Sequence, residues 1–159
     1  MGAGAHPHLI SAAHTHTGFG TPWSAMVEPF APISQEACAF VFDQSMYLGE
    51  DLEVLTTDGG YRIADALGSS KLCILRNHGL LTTGNTIGDA WVQMYFLEKV
   101  CSAQLALLSA AAASGQKIRY PSKEVCEHTA KQYDDNGTGE REWPALLRQL
   151  DDVTTDYMV

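Results

Sequence analysis

Six residues, Lys71-Leu72-Cys73-Ile74-Leu75-Arg76, constrain the fold of this chain more than any others. A compact apolar run preceded by Gly68-Ser69-Ser70 and followed by Asn77-His78-Gly79 predicts a strand between two turns. Residues 80–83 follow as a second short strand ahead of Gly84-Asn85. Thr86 and Asp89 then form a capping box. They open the longest helix, residues 87–113, rich in Ala, Leu, Met and Glu. Ala90, Met94, Leu97, Cys101 and Leu105 recur along it at spacings of three and four, which makes one buried stripe.

The rest of the chain is arranged around that core. Residues 9–16 are small and apolar and end in His14-Thr15-His16, which predicts another strand. Residues 18–32 carry Gly18, Gly20, Pro22, Pro29 and Pro32, so they hold at most a short helix around 23–27. Residues 34–42 fit a helix or a strand. Asp58-Gly59-Gly60 reads as a turn, residues 61–67 as a helix on the spacing of Ile63, Ala64 and Leu67, and Gly68 as its C-cap. Residues 122–133 and 142–150 are helical segments on either side of a polar loop, 134–140. Strand, helix, strand, long helix and further helix favour a layered α/β domain over a bundle. A single domain over residues 1–159 is expected.

Charge narrows the partners. Ten Lys and Arg against 19 Asp and Glu give a net charge of −9, which disfavours nucleic acid and anionic membrane surfaces. No apolar run approaches the roughly 18 residues of a membrane span. Residues 1–8 show no basic segment followed by an apolar one, so no signal peptide is read there. Cys38, Cys73, Cys101 and Cys126 form no C-x-x-C pair and read as reduced thiols of a cytoplasmic protein.

His14 and His16 lie two apart on a predicted strand, so they face the same way. His78 ends the other convincing strand, immediately before a glycine that permits a tight turn. Adjacent strands would bring the three imidazoles to one point. Three protein ligands with an open fourth position is the pattern of catalytic zinc. The plainer alternative is three surface or hydrogen-bonded histidines. His6 and His8 read as loop, and His128 as a helix-surface residue. A metal that polarises a carbonyl still needs a base to move a proton. Glu28, Glu36 and Asp43 follow the histidine pair, and Glu36, beside an apolar run, is the candidate catalytic residue. Gly18-Phe19-Gly20 lacks the third glycine of a nucleotide loop. Trp23, Tyr47, Trp91 and Tyr95 read as core or interface.

Four motifs in order carry a resemblance. They are Ala13-His14-Thr15-His16-Thr17, Pro32-Ile33-Ser34-Gln35-Glu36-Ala37, Leu75-Arg76-Asn77-His78-Gly79-Leu80-Leu81 and Gly84-Asn85-Thr86. Together they resemble the class II aldolase/adducin family, and Met94-Tyr95-Phe96-Leu97-Glu98 looks like its long helix after the third histidine. The likeness spans residues 7–113, with a weaker tail to 150. It implies a three-layer α/β/α sandwich with a mainly antiparallel sheet. It implies Zn2+ or another divalent metal on His14, His16 and His78. It also implies a phosphorylated sugar or small hydroxy-carbonyl substrate, handled through a metal-bound enediolate by an aldolase-type lyase or epimerase. Relatives are homo-oligomers, usually tetramers with active sites at subunit interfaces. Adducins share the fold, bind the actin–spectrin skeleton and lack the metal triad, so the alternative is a non-catalytic interaction module with a cytoskeletal partner. The family's N-terminal portion, with its phosphate loops and catalytic acid, has no counterpart before His14, so an N-terminally truncated domain is expected. Gly18 also departs from the family pattern, which often has Pro there.

Overall fold

The computed structural model describes residues 9–26, 28–49 and 56–158. The apolar run becomes the inside of a sheet. Strands β1 (Ser11–Thr15), β2 (Gln44–Tyr47), β3 (Leu72–Leu75) and β4 (Gly79–Gly84) stand in the order β1-β4-β3-β2. β4 runs antiparallel to both β1 and β3, and β2 runs parallel to β3. Helix α3 (Thr57–Leu67) lies between β2 and β3 in the chain and makes the crossover that a parallel pair requires.

Side chains alternate across β3. Leu72 and Ile74 point into one core with Trp23, Phe30, Phe40, Leu80, Leu97 and Val100. Cys73 and Leu75 point into the other with Tyr47, Ile63, Leu67 and Leu81. Helices α1 (Gly20–Ser24), α2 (Gln35–Val41) and α4 (Ile87–Ser114) supply the first core, and α3 covers the second. The result is the expected three-layer α/β/α sandwich. Helix α5 (Lys123–Asn136) packs on α2, and α6 (Glu142–Asp151) packs on α4.

Several boundaries differ from the sequence reading. Residues 35–41 are helical because the Ser34 hydroxyl accepts the Ala37 N–H and Glu36 sits in the favourable first turn. Helix α3 absorbs the Asp58-Gly59-Gly60 turn signal, because the Thr56 hydroxyl accepts the Gly59 N–H and starts the helix at Thr57. Helix α1 begins at Gly20 rather than 23. Helix α5 takes in the first three residues of the expected polar loop. Gly68, with φ +56°, ends α3 as expected.

Helix α4 has 28 residues and is long and apolar enough to cross a membrane by length and composition, contrary to the expectation that no apolar run reaches that length. Its first half is instead the helical wall of the core, packed across β1 and β4. The Thr86 hydroxyl accepts the Asp89 N–H, and an Asp89 carboxylate oxygen accepts the Asn85 N–H. Replacing Thr86 with Ala removes this cap and should cost about 1 kcal/mol of stability, read as a shift in the urea midpoint at constant slope.

Candidate metal centre

His14 stands on β1, opposite Leu81 of β4. Its neighbours Ala13 and Thr15 point the other way, toward the α4 core, where the Thr15 hydroxyl donates to the Met94 sulfur at 3.1 Å. The His14 imidazole is therefore on the opposite face and exposed. Its Nδ1 lies 2.8 Å from the Leu80 carbonyl oxygen. A carbonyl only accepts, so Nδ1 carries the proton and Nε2 keeps its lone pair. His16 follows one residue past the strand end.

His78 sits in the turn between β3 and β4. Asn77 has φ +54°, a left-handed conformation that Asn tolerates better than most residues. Three backbone bonds fix the turn. Arg76 N–H donates to Tyr47 O at 3.0 Å, Asn77 N–H to Ser24 O at 3.0 Å, and His78 N–H to Leu75 O at 2.9 Å. Gly79 then lets β4 pass close under β1: a Cβ there would lie 2.4 Å from the Thr15 carbonyl oxygen and 3.2 Å from His16 Cδ2.

These supports bring the three rings together. Centroid separations are 4.9 Å for His14–His16, 4.8 Å for His14–His78 and 4.6 Å for His16–His78. One nitrogen from each ring lies within 4.8 Å of the others, and His14 Nε2 is 3.0 Å from His16 Nε2. Tetrahedral zinc with Zn–N bonds of about 2.0–2.1 Å holds its nitrogens about 3.3 Å apart, so the donor set fits a single ion. Burial, and then the neighbouring His14 and His16, hold the His78 imidazole below its ordinary pKa. That keeps its lone pair available. The four cysteines are all buried and free, and burial pushes the Cys38 thiol up to about 11.

The other candidates lie elsewhere. Among the described residues the cluster holds three histidines and no carboxylate. Glu36 does not join it. It sits on α2, in the α4 layer, bordering a crevice with Lys71, Gln93, Phe96 and Tyr133. Asp43 accepts the Lys71 N–H at 2.9 Å and pairs with the Lys71 ammonium at 3.4 Å, a structural role. Glu28 and His128 are exposed, and His6 and His8 lie outside the described residues. Trp23 stacks on Phe30 in the core at a centroid distance of 5.0 Å, whereas Trp91 and Tyr95 stack on an exposed face of α4.

One supporting residue was not singled out from the sequence. Glu98 of α4 accepts the Phe19 N–H at 3.0 Å, the Gly20 N–H at 2.9 Å and the Thr17 hydroxyl, all within the four residues after His16. Its signal was positional: it lies four residues after Met94 and three before Cys101, a carboxylate within the apolar stripe.

Known proteins resemble this chain in sequence and fold. Residues 4–105 match the family described as "Class II Aldolase and Adducin N-terminal domain". The crystal structure of an aldolase II superfamily protein from Pseudomonas syringae superposes with a TM-score of 0.81 at 35% identity, over 98% of this chain and 61% of that one. An L-fuculose 1-phosphate aldolase from Glaciozyma antarctica gives 0.67 at 32% identity, over 81% of this chain and 46% of that one. The decarboxylase NovR of Streptomyces niveus is 34% identical over 128 residues, 80% of this chain and 46% of that protein. The chain spans about half the length of the curated relatives it matches.

Proposed function

The chain belongs to the class II aldolase and adducin family, and from that premise we propose that it holds one divalent cation on His14, His16 and His78 and acts on a small hydroxy-carbonyl compound. A sugar phosphate is the first candidate, on the likeness to the L-fuculose 1-phosphate aldolase. The observation that carries this reading is the convergence of three imidazoles, with the His14 tautomer set by the Leu80 carbonyl. Zinc suits a set of three imidazole nitrogens.

A bound divalent cation supplies Lewis acidity, polarising a carbonyl and favouring negative charge beside it. The chain's own part is orientation. The Leu80 carbonyl holds the His14 ring, and the bonds around Asn77 aim His78. Exposure of His14 and His16 leaves the open side of the cluster facing solvent, where a substrate enters. Breaking a bond next to a carbonyl also moves a proton, and no described carboxylate joins the three rings. We assign that proton to a group contributed by a second copy in a homo-oligomer. The reduced, buried thiols fit a cytoplasmic setting.

The test is proton exchange in deuterium oxide with dihydroxyacetone phosphate and Zn2+. The chain should bind the compound only when metal is present. Exchange of the proton next to the carbonyl should rise as copies of the chain associate, and it should be lost in the His14→Ala/His16→Ala variant. Exchange that stays fast on dilution to single chains would place the base within one copy. No metal-dependent binding would overturn the reading.

A further inference from the structure

We infer that Glu98, on the far side of the sheet from the three imidazoles, is a positioning residue that sets their metal affinity through helix α1. The inference rests on the metal-binding reading above. Two of the three imidazoles are not on strands. His16 is one residue past β1, and His78 is in a turn. Neither is fixed by the sheet ladder alone, so something else must hold them in place.

Helix α1 does so at both ends. At its start, the Gly20 N–H is shared by Glu98 Oε2 at 2.9 Å and the Thr17 hydroxyl at 3.1 Å. Thr17 in turn donates its hydroxyl proton to Glu98 Oε2, and the Phe19 N–H reaches Glu98 Oε1 at 3.0 Å. One carboxylate thus accepts three donors from the four residues after His16. At its end, α1 offers the Ser24 carbonyl to the Asn77 N–H at 3.0 Å, next to His78. The chain of bonds runs from α4 to the His16 loop, through α1, to the His78 turn.

The packing leaves this plate little play. Trp23 of α1 is buried against Phe30, and a Cβ at Gly20 would meet Thr17 Oγ1 at 2.5 Å and Leu80 Cδ1 at 2.6 Å. A carboxylate taking three hydrogen bonds gives charge-assisted contacts, stronger than neutral ones. Groups that orient metal ligands from behind typically change affinity by about 10- to 100-fold when removed. Glu98 acts one step further back, through backbone rather than through an imidazole nitrogen. The lower end, about 10-fold, is the expectation for Glu98→Ala.

The experiment is a chelator competition for Zn2+ on the full chain, with the parent, Glu98→Ala, Glu98→Gln, Thr17→Val and Val100→Ala. Val100 is buried in the same helix and makes none of these hydrogen bonds, so its variant serves as the control for lost stability. Glu98→Ala should weaken Zn2+ binding about 10-fold, and Val100→Ala should not. Glu98→Gln should fall between, since an amide oxygen still accepts from Thr17 and Gly20 while its NH2 confronts the Phe19 N–H. Thr17→Val should weaken binding, and its effect should largely vanish in the Glu98→Ala background. Parent-like affinity in Glu98→Ala, or equal losses in Glu98→Ala and Val100→Ala, would overturn the positioning role while leaving the histidine site intact. A parent that binds no Zn2+ would overturn the metal-binding reading itself, and the inference with it.

Discussion

The His14→Ala/His16→Ala variant should leave a desalted preparation with no bound divalent metal, while the parent retains about one ion per chain, as the proposed three-imidazole site predicts. The expected effect is large because two of the three protein donors disappear. Loss of an orienting group alone costs about 10- to 100-fold in metal affinity, and loss of two donors should exceed about a thousandfold. The apo fold should survive, because both rings are exposed. The structural loss is the His14–Leu80 hydrogen bond, worth about 1 kcal/mol. Heat denaturation separates these effects. An ion present at a thousand times its dissociation constant stabilises the parent by about 4 kcal/mol, and the variant should gain nothing from it. Elemental analysis gives the direct count. A double variant that still carries one ion per chain would remove these histidines from the metal site.

Local chemistry made some of the molecule legible in the sequence. β3 and β4 are short apolar runs bracketed by turn residues. α4 has a hydroxyl cap, a continuous apolar stripe and a terminal glycine at φ +69°. β2 gave no such signal. Gln44-Ser45-Met46-Tyr47 is half polar and forms an edge strand, ordered by its parallel register with β3 rather than by any pattern of its own. The glycines of α3 hid its first turn, because cap hydrogen bonding outweighs the modest helix penalty of Gly near an N-terminus.

The site divides in the same way. The i, i+2 spacing of His14 and His16 and the place of His78 at a strand end could be read directly. The ties that hold them could not. Glu98 lies about eighty positions from the loop it anchors, and Ser24 lies far from Asn77 in sequence. No periodicity encodes bonds of that range, so only the folded arrangement reveals them. Glu36 shows the reverse case: adjacency in sequence to the histidine loop suggested chemistry, and the layering of α2 with α4 put it in a different crevice.

Gly79→Ala should lower stability by about 3 kcal/mol and weaken metal binding at the same time. The cause is space. The added methyl would sit 2.4 Å from the Thr15 carbonyl oxygen, which is backbone and has no rotamer to give way. β1 would have to retreat from β4 where Thr15 pairs with Leu80, one residue from His14 and one from His16. For a chain of this size each kcal/mol shifts the midpoint by about 2–4 °C, so Tm should fall by about 6–12 °C. Gly18→Ala is the matched control: it lies in the neighbouring loop, meets nothing within 4 Å and has no positive φ. Its Tm and Zn2+ affinity should equal the parent's. The two losses in Gly79→Ala should appear together, because one displacement of β1 strains the sheet and separates His16 from His78. A Gly79→Ala protein that loses stability but binds Zn2+ as the parent does would mean that His16 does not depend on the β1–β4 approach. The metal geometry would then have to be set wholly by the loop that Glu98 holds.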